Sequence, residues 1–281
     1  MPATISFVLP VHDNAATFEQ ALEHVLRVDL GHPELRREII VVDDASTDGT
    51  ADLVRRAAAR GIARVCFHAE TLGQGATLST GLTLVTGDIV VVADATLAYD
   101  SSETSRLLAP ILEGSADVVY GSRYVATSRQ VPKLWDRLSD QLLTAISNGL
   151  TNVALTDVTT TFQAFRADVM RGAVLRADGC GVGSELAALF ATRECRIFEV
   201  PVSYRPRPVS VGTRWFEGLS HLTMMARCRL RSWQLEPVAP HQPFQAATPE
   251  APRRVRLTRL MPAAELMPMA SAARRPILSA N

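Results

Sequence analysis

The first hundred residues alternate short, continuous apolar runs with stretches whose apolar positions recur at helical spacing. The runs over 5–10, 38–43, 64–68 and 88–94 predict four strands, and the segments 15–28, 50–60 and 76–85 between them predict three helices. Ile39-Ile40-Val41-Val42 shows no polar alternation, which is the pattern of a strand covered on both faces in a mostly parallel α/β sheet. Ligands of such sheets bind beyond the carboxyl ends of the strands. Polar residues gather at those ends here: His12, Asp13 and Asn14, then Asp43 and Asp44, then Asp94.

Beyond residue 100 the pattern is less regular. It predicts strands over 117–120 and 196–204 and helices over 134–150, 184–192 and 216–235. The last of these sets Leu219, Leu222, Met224 and Met225 towards one side, with Arg227, Arg229 and Arg231 near its end. Cations there oppose the helix dipole; a helix lying on a membrane surface is the alternative. Eight of the sixteen prolines fall beyond residue 236, so 236–281 is expected to be a disordered Pro/Ala/Arg-rich tail. Its six arginines outnumber its three acids, which makes it locally basic.

Composition narrows the function classes. The 281 residues carry 29 Lys+Arg against 29 Asp+Glu, so no overall positive field argues for a nucleic-acid partner. A hydrophobic content of 47% suits a soluble globular chain with a sizeable core. No stretch reaches the ~18–20 uninterrupted apolar residues of a membrane span, and MPATISFVLP lacks the basic start of a secretion signal. The expectation is a cytoplasmic protein, in peripheral contact with the inner face of the membrane if its acceptor is a lipid. Cys66, Cys180, Cys195 and Cys228 lack the clustered spacing of a zinc site or a redox pair.

The chemistry-bearing segments lie between the predicted elements. In 39–50, Asp43 and Asp44 end a buried strand, and Ser46-Thr47-Asp48-Gly49 turns the chain into a helix. Carboxylates in that position accept bonds from a base N–H or from ribose hydroxyls. Asp43 fits a ligand role, and Asp48 fits the capping of the following helix. Gly73-Gln74-Gly75 precedes the third helix, a tight turn near an anion-binding helix start. It is neither a dinucleotide fingerprint nor a P-loop. A sugar-1-phosphate nucleotidyltransferase would need a Gly-rich loop with a cation near the N-terminus, and residues 8–20 offer none.

Seven segments in sequence order carry a resemblance: 8–11, 41–50, 73–81, 87–94, 121–123 (Gly-Ser-Arg), 157–166 and 199–207. Together they resemble the family 2 glycosyltransferases of GT-A fold, and among these the dolichol-phosphate mannosyltransferase-like, polyprenyl-phosphate glycosyltransferases. The resemblance implies a GT-A domain over 1–235, with a nucleotide-binding half (1–100) and an acceptor half (101–235). It implies an inverting hexosyl transfer from a UDP- or GDP-sugar to a polyprenyl phosphate or another acceptor. Pro10, Asp43, Asp44, Gly73, Gly75 and Asp94 would line the nucleotide. Arg123 and Arg207 would hold phosphate oxygens, and Asp157 would lie close to the transferred sugar, as the candidate base for an alcohol acceptor.

The chain also departs from the family pattern. The usual Asp-Ala-Asp is Asp94-Ala95-Thr96, the position often held by Gln or Glu is Ala98, and Gly-Lys-Gly has become Gly73-Gln74-Gly75. Mg2+ or Mn2+ prefers carboxylate oxygen, so Asp94 is left as a metal ligand without the partner that Thr96 replaces. The alternative to a transferase is therefore a homologue of the same fold that binds a nucleotide or partner without transferring sugar.

Overall fold

The apolar runs of the first half form β1 (Thr4–Val11), β2 (Arg36–Asp43), β3 (Arg64–Phe67) and β4 (Ile89–Val92). Between them lie α1 (Phe18–Arg27), α2 (Thr50–Ala59) and α3 (Gln74–Thr83). The computed structural model describes residues 3–125, 134–170, 173, 175 and 182–205. The second half adds α4 (Thr104–Leu112), β5 (Val118–Ser122), α5 (Leu134–Thr151), β6 (Gln163–Arg166), α6 (Val182–Thr192) and β7 (Ile197–Pro201). Arg207, the predicted 216–235 helix and the 236–281 tail lie outside the described residues.

One seven-stranded sheet in the order β3-β2-β1-β4-β6-β5-β7 runs through both halves. Pairing is parallel between β3 and β2, β2 and β1, β1 and β4, and β5 and β7. β6 runs antiparallel to both of its neighbours, so the sheet is mixed but mostly parallel, as expected. Successive residues of β1 point into two separate cores. Ile5, Phe7 and Leu9 pack with Phe18, Leu22, Leu107, Leu108 and Ile111, whereas Val8 packs with Ile40, Val42, Leu78 and Val90. Helices on both faces are thus the reason the strand sequences show no polar alternation.

Two elements escaped the sequence pattern. β6 reads Gln-Ala-Phe-Arg, with a polar residue at each end, yet all four residues are buried. α4 holds Pro110 near its end, where the missing N–H breaks the expected periodicity; the Pro110 carbonyl instead accepts from the amides of Ser115 and Ala116 at 2.9 Å each. Asp48 also differs from its expected place. Gly49, at φ 97°, occupies the position before α2, and Asp48 bonds the Thr50 amide at 3.0 Å and the Ala15 amide at 2.9 Å.

α3 lies close against the sheet at Gly81. A Cβ there would sit 2.4 Å from Val8 Cγ1 and 3.4 Å from Val42 Cγ2. Gly81→Ala is therefore expected to force α3 away from β1 at a cost of about 1–3 kcal/mol, lowering the melting temperature by about 2–10 °C in a thermal denaturation experiment.

Candidate functional site

Because β2, β1 and β4 run parallel side by side, their carboxyl ends deliver three loops to one edge of the sheet. Each loop contains a non-glycine residue at positive φ: Asp13 (49°) after β1, Ala45 (55°) after β2 and Leu97 (60°) after β4. Strained backbone of this kind costs of order 1–3 kcal/mol per residue and persists only where its surroundings hold it. The first two loops are stitched together. Asp13 N donates to Ser46 Oγ at 3.0 Å, Thr47 N to Asp13 Oδ1 at 2.8 Å, and Asn14 N to Thr50 Oγ1 at 2.8 Å. Thr17 Oγ1 reaches the Ala95 carbonyl at 2.8 Å and ties in the third.

Asp43 and Asp44 are both buried but differ in what they touch. Asp44 is taken up by the protein: Oδ1 faces His68 Nδ1 at 2.6 Å and accepts from Leu72 N at 2.9 Å, while Oδ2 accepts from Gly73 N at 2.8 Å. Asp44 therefore sets the loop that leads into α3, where Gly73 adopts φ 92° and Gly75 is buried in the first turn. Asp43 Oδ2 accepts from Ser46 N at 3.2 Å, whereas its Oδ1 is buried with no hydrogen-bond partner among the described residues. Pro10 pairs in register with Val42. The Val8 carbonyl accepts from Ala93 N, so Pro10, two residues on, faces the same side beyond the last rung of β4, where a missing N–H breaks no ladder bond.

Asp94 follows β4. Its Oδ1 accepts from Thr96 N at 2.9 Å, and its Oδ2 accepts from Ala98 N at 3.0 Å and from the Thr96 hydroxyl. Thr96 is thus a donor to the carboxylate where the family carries a second acid. Among the described residues, no group of three or more His, Cys, Asp or Glu side chains is placed to hold a metal ion.

Arg123, just past β5, and Asp157 form a buried fork. Nε meets Oδ2 and Nη2 meets Oδ1, both at 2.7 Å, and the Arg123 amide also donates to Oδ2 at 3.1 Å. Nη2 donates to Thr159 Oγ1 as well. Burial alone would lower the pKa of Arg123, but Asp157 and Asp140 outweigh it and hold the guanidinium charged. Glu199 supports the turn by accepting from Thr156 N at 2.8 Å and Asp157 N at 3.3 Å. Both Asp157 oxygens lie in the fork, so its carboxylate braces Arg123 rather than standing open to a proton.

Two aromatic residues join this fork to the Asp94 loop. The rings of Tyr99 and Tyr204 lie 5.0 Å apart, and Arg123 Cζ stands 5.0 Å from the Tyr204 centroid. Arg205 N donates to the Ala98 carbonyl at 2.7 Å. Pro10, Asp43, Asp44, Gly73, Gly75 and Asp94 thus gather at one edge, on strand ends, the loops after them and the start of α3, with Arg123 and Asp157 joined to them through these rings. Sequence reasoning did not single out Tyr99, Tyr204, Tyr124 or Asp140. Only Tyr204 lay within a motif, and nothing local marks the other three.

Asp44 links this geometry to pH. Burial pushes its pKa up, but the Leu72 and Gly73 amides and His68 outweigh that and hold it below the usual carboxylate range. A carboxylate lowered on folding stabilises the fold above its unfolded pKa of about 4, and the gain is lost as the pH falls through the lower folded value. Asp44→Asn is expected to destabilise the protein by about 1–3 kcal/mol at pH 7 and to flatten the acid limb of its stability below pH ~4, as read by urea melts across pH.

Comparisons with known proteins address the family and the fold. The chain is 34% identical over 179 residues to an undecaprenyl-phosphate mannosyltransferase from Micrococcus luteus, covering 60% of this chain and 72% of that one. It is 26% identical over 225 residues to the low-salt glycan biosynthesis hexosyltransferase Agl6 of Haloferax volcanii, covering 79% of this chain but only 53% of that protein. It therefore spans about half the length of that relative. In three dimensions it resembles glucosyl-3-phosphoglycerate synthase from Mycobacterium tuberculosis, solved with UDP, at a TM-score of 0.59 and 24% identity over 80% of each chain, a likeness of fold. The profile of Glycosyl transferase family 2 matches residues 6–172, well over half of the sequence, and the chain belongs to that family.

Proposed function

We propose that this protein transfers a hexose from a UDP- or GDP-sugar to an acceptor, with inversion at the anomeric carbon. The observation that carries the reading is Asp43 Oδ1, a buried carboxylate oxygen at the carboxyl end of β2 without a partner among the described residues. A buried acceptor of this kind costs stability unless something donates to it, and the N–H of a nucleotide base would do so. Pro10 and the Asp44-held loop at Gly73 and Gly75 would flank that base, with Asp94 turned to the ribose or diphosphate. Asp44 acts in this reading through the loop it holds. Arg123 and Asp157 form a brace beside the transferred sugar, and Arg207 is assigned to phosphate oxygens.

The transition state places growing negative charge on the departing diphosphate, so its stabilisation is largely electrostatic. Asp94 fits a divalent ion as a single ligand, because among the described residues its Oδ1 accepts only from Thr96 N and keeps a lone pair. Mg2+ or Mn2+ held by Asp94 would neutralise charge on the leaving group. The relative named for undecaprenyl phosphate supports a polyprenyl phosphate among the candidate acceptors, and a hydroxyl-bearing acceptor is the other. Exposed Leu134, Trp135, Leu138 and Leu142 on α5 support peripheral contact with a lipid surface. No helix among the described residues is long and apolar enough to cross a membrane. The self-satisfied Asp94–Thr96 turn favours a second reading, nucleotide binding without transfer.

Calorimetry with UDP and GDP, each with Mn2+ and then with EDTA, tests the donor assignment. One nucleotide is expected to bind in the micromolar range, and Asp43→Ala is expected to weaken it about tenfold or more, or about 1.4 kcal/mol. Absence of binding by either nucleotide would overturn the proposal. Thr96→Asp together with Gln74→Lys is expected to raise the Mn2+ dependence of binding and of nucleotide release by about tenfold. Nucleotide binding without turnover in either form would support the second reading.

A further inference from the structure

An acceptor phosphate needs cations to receive it, whereas an acceptor hydroxyl needs a base for its proton. The charges around Arg123 discriminate between these. Arg123, with its side chain 13% exposed, faces two carboxylates: Asp157, fully buried in the fork, and Asp140 of α5, 3.2 Å from Nη2. Among the described residues, one positive charge against two negative ones leaves the cluster net negative. Its strongest donors are already aimed at protein oxygens, and the Tyr204 ring covers the guanidinium at 5.0 Å. A phosphate monoester, carrying about 1.5–2 negative charges near neutral pH, would meet repulsion here and would have to break the fork to gain a contact.

The two carboxylates are not equivalent. Asp157 uses both oxygens on Arg123. Asp140 uses one: its Oδ2 accepts from Tyr124 Oη at 2.6 Å and faces Arg123. Oδ1 of Asp140 makes no hydrogen bond or ion pair with the described residues, and the side chain is 24% exposed, open to an incoming group. Burial raises the Asp140 pKa above the usual carboxylate range, against the pull of Arg123 and the Tyr124 hydrogen bond and with the push of Asp157. A carboxylate shifted in that direction is a stronger base than an exposed one.

We propose that the acceptor nucleophile is an uncharged hydroxyl, of the kind carried by a sugar or polyol, and that Asp140 Oδ1 is the base that receives its proton. This inference rests on the transferase reading above and selects among its acceptors. The hydroxyl gives its proton to Asp140 Oδ1 as its oxygen bonds to the anomeric carbon of the hexose. The bond from that carbon to the diphosphate oxygen breaks, and its electron pair leaves with the nucleoside diphosphate. Tyr124 orients Asp140 through Oδ2, and Arg123 keeps it ionised, so both are positioning residues.

The test measures nucleoside diphosphate release by the full chain from UDP-glucose, UDP-galactose and GDP-mannose. Acceptors are water, octyl glucoside as a hydroxyl probe and farnesyl phosphate as a phosphate probe, with UDP and GDP affinities measured in parallel. Release is expected with a hydroxyl acceptor and to change by less than about twofold with farnesyl phosphate. Asp140→Asn is expected to lower release about 100-fold or more while nucleotide affinity stays within about twofold. Tyr124→Phe, which removes a hydrogen bond to the ionised form, is expected to retain turnover but to move the acid limb of the pH profile upward. A tenfold or greater acceleration by farnesyl phosphate, at about that size or above, would overturn the proposal alone, as would Asp140→Asn retaining about half of the release or more. Absence of nucleotide binding, or binding without release to any acceptor, would overturn the transferase reading and this proposal with it.

Discussion

Strand β1 is hydrogen-bonded on both sides to parallel neighbours, and that arrangement determines where the chemistry can lie. Parallel pairing sends the carboxyl ends of β2, β1 and β4 to the same edge, so the loops after Asp43, Val11 and Val92 meet there without any long-range design of the loops themselves. The arrangement is possible because β1 is apolar on both faces and helices cover both. The close approach of α3 at Gly81 belongs to the same packing, and it brings the start of α3, with Gly73 and Gly75, towards Asp44.

At that edge the distribution of hydrogen-bond donors separates carboxylates that look alike in sequence. Asp44 is saturated by His68, Leu72 and Gly73 and holds a loop, while Oδ1 of its neighbour Asp43 is buried without a hydrogen-bond partner among the described residues. Asp94 is partly satisfied by Thr96 and Ala98. Asp157 is taken up by Arg123, and Asp140, on α5, keeps Oδ1 without a partner among the described residues. A buried ion pair adds little net stability by itself, because desolvation offsets much of its attraction. What the Arg123 fork supplies is a fixed geometry and a local charge.

Much of the architecture was legible in the sequence. The runs at 5–10, 38–43, 64–68 and 88–94 each became a strand within a few residues, because the spacing of apolar residues is a local property. β6 and α4 were not legible. Gln163 and Arg166 are buried by tertiary partners rather than by their own hydrophobicity, and Pro110 interrupts the helical pattern of a segment that packing still holds as helix. The candidate site was legible only as a list of polar residues at strand ends, and the ordered motifs pointed to a family that the comparisons bear out.

The sequence by itself therefore determined most of the element types, the mostly parallel sheet, the family and the sheet edge on which the candidate site residues lie. Those properties follow from periodicity and from short segments read in order. Only the tertiary structure decided what each charged group is free to do. The partners of Asp44 lie 24, 28 and 29 residues away, and Asp157 and Thr159, which hold Arg123 by hydrogen bonds, lie 34 and 36 residues from it, at separations where no spacing rule applies. A carboxylate binds a ligand, braces a loop or takes a proton according to which donors reach it, and that depends on contacts made only when distant segments are brought together.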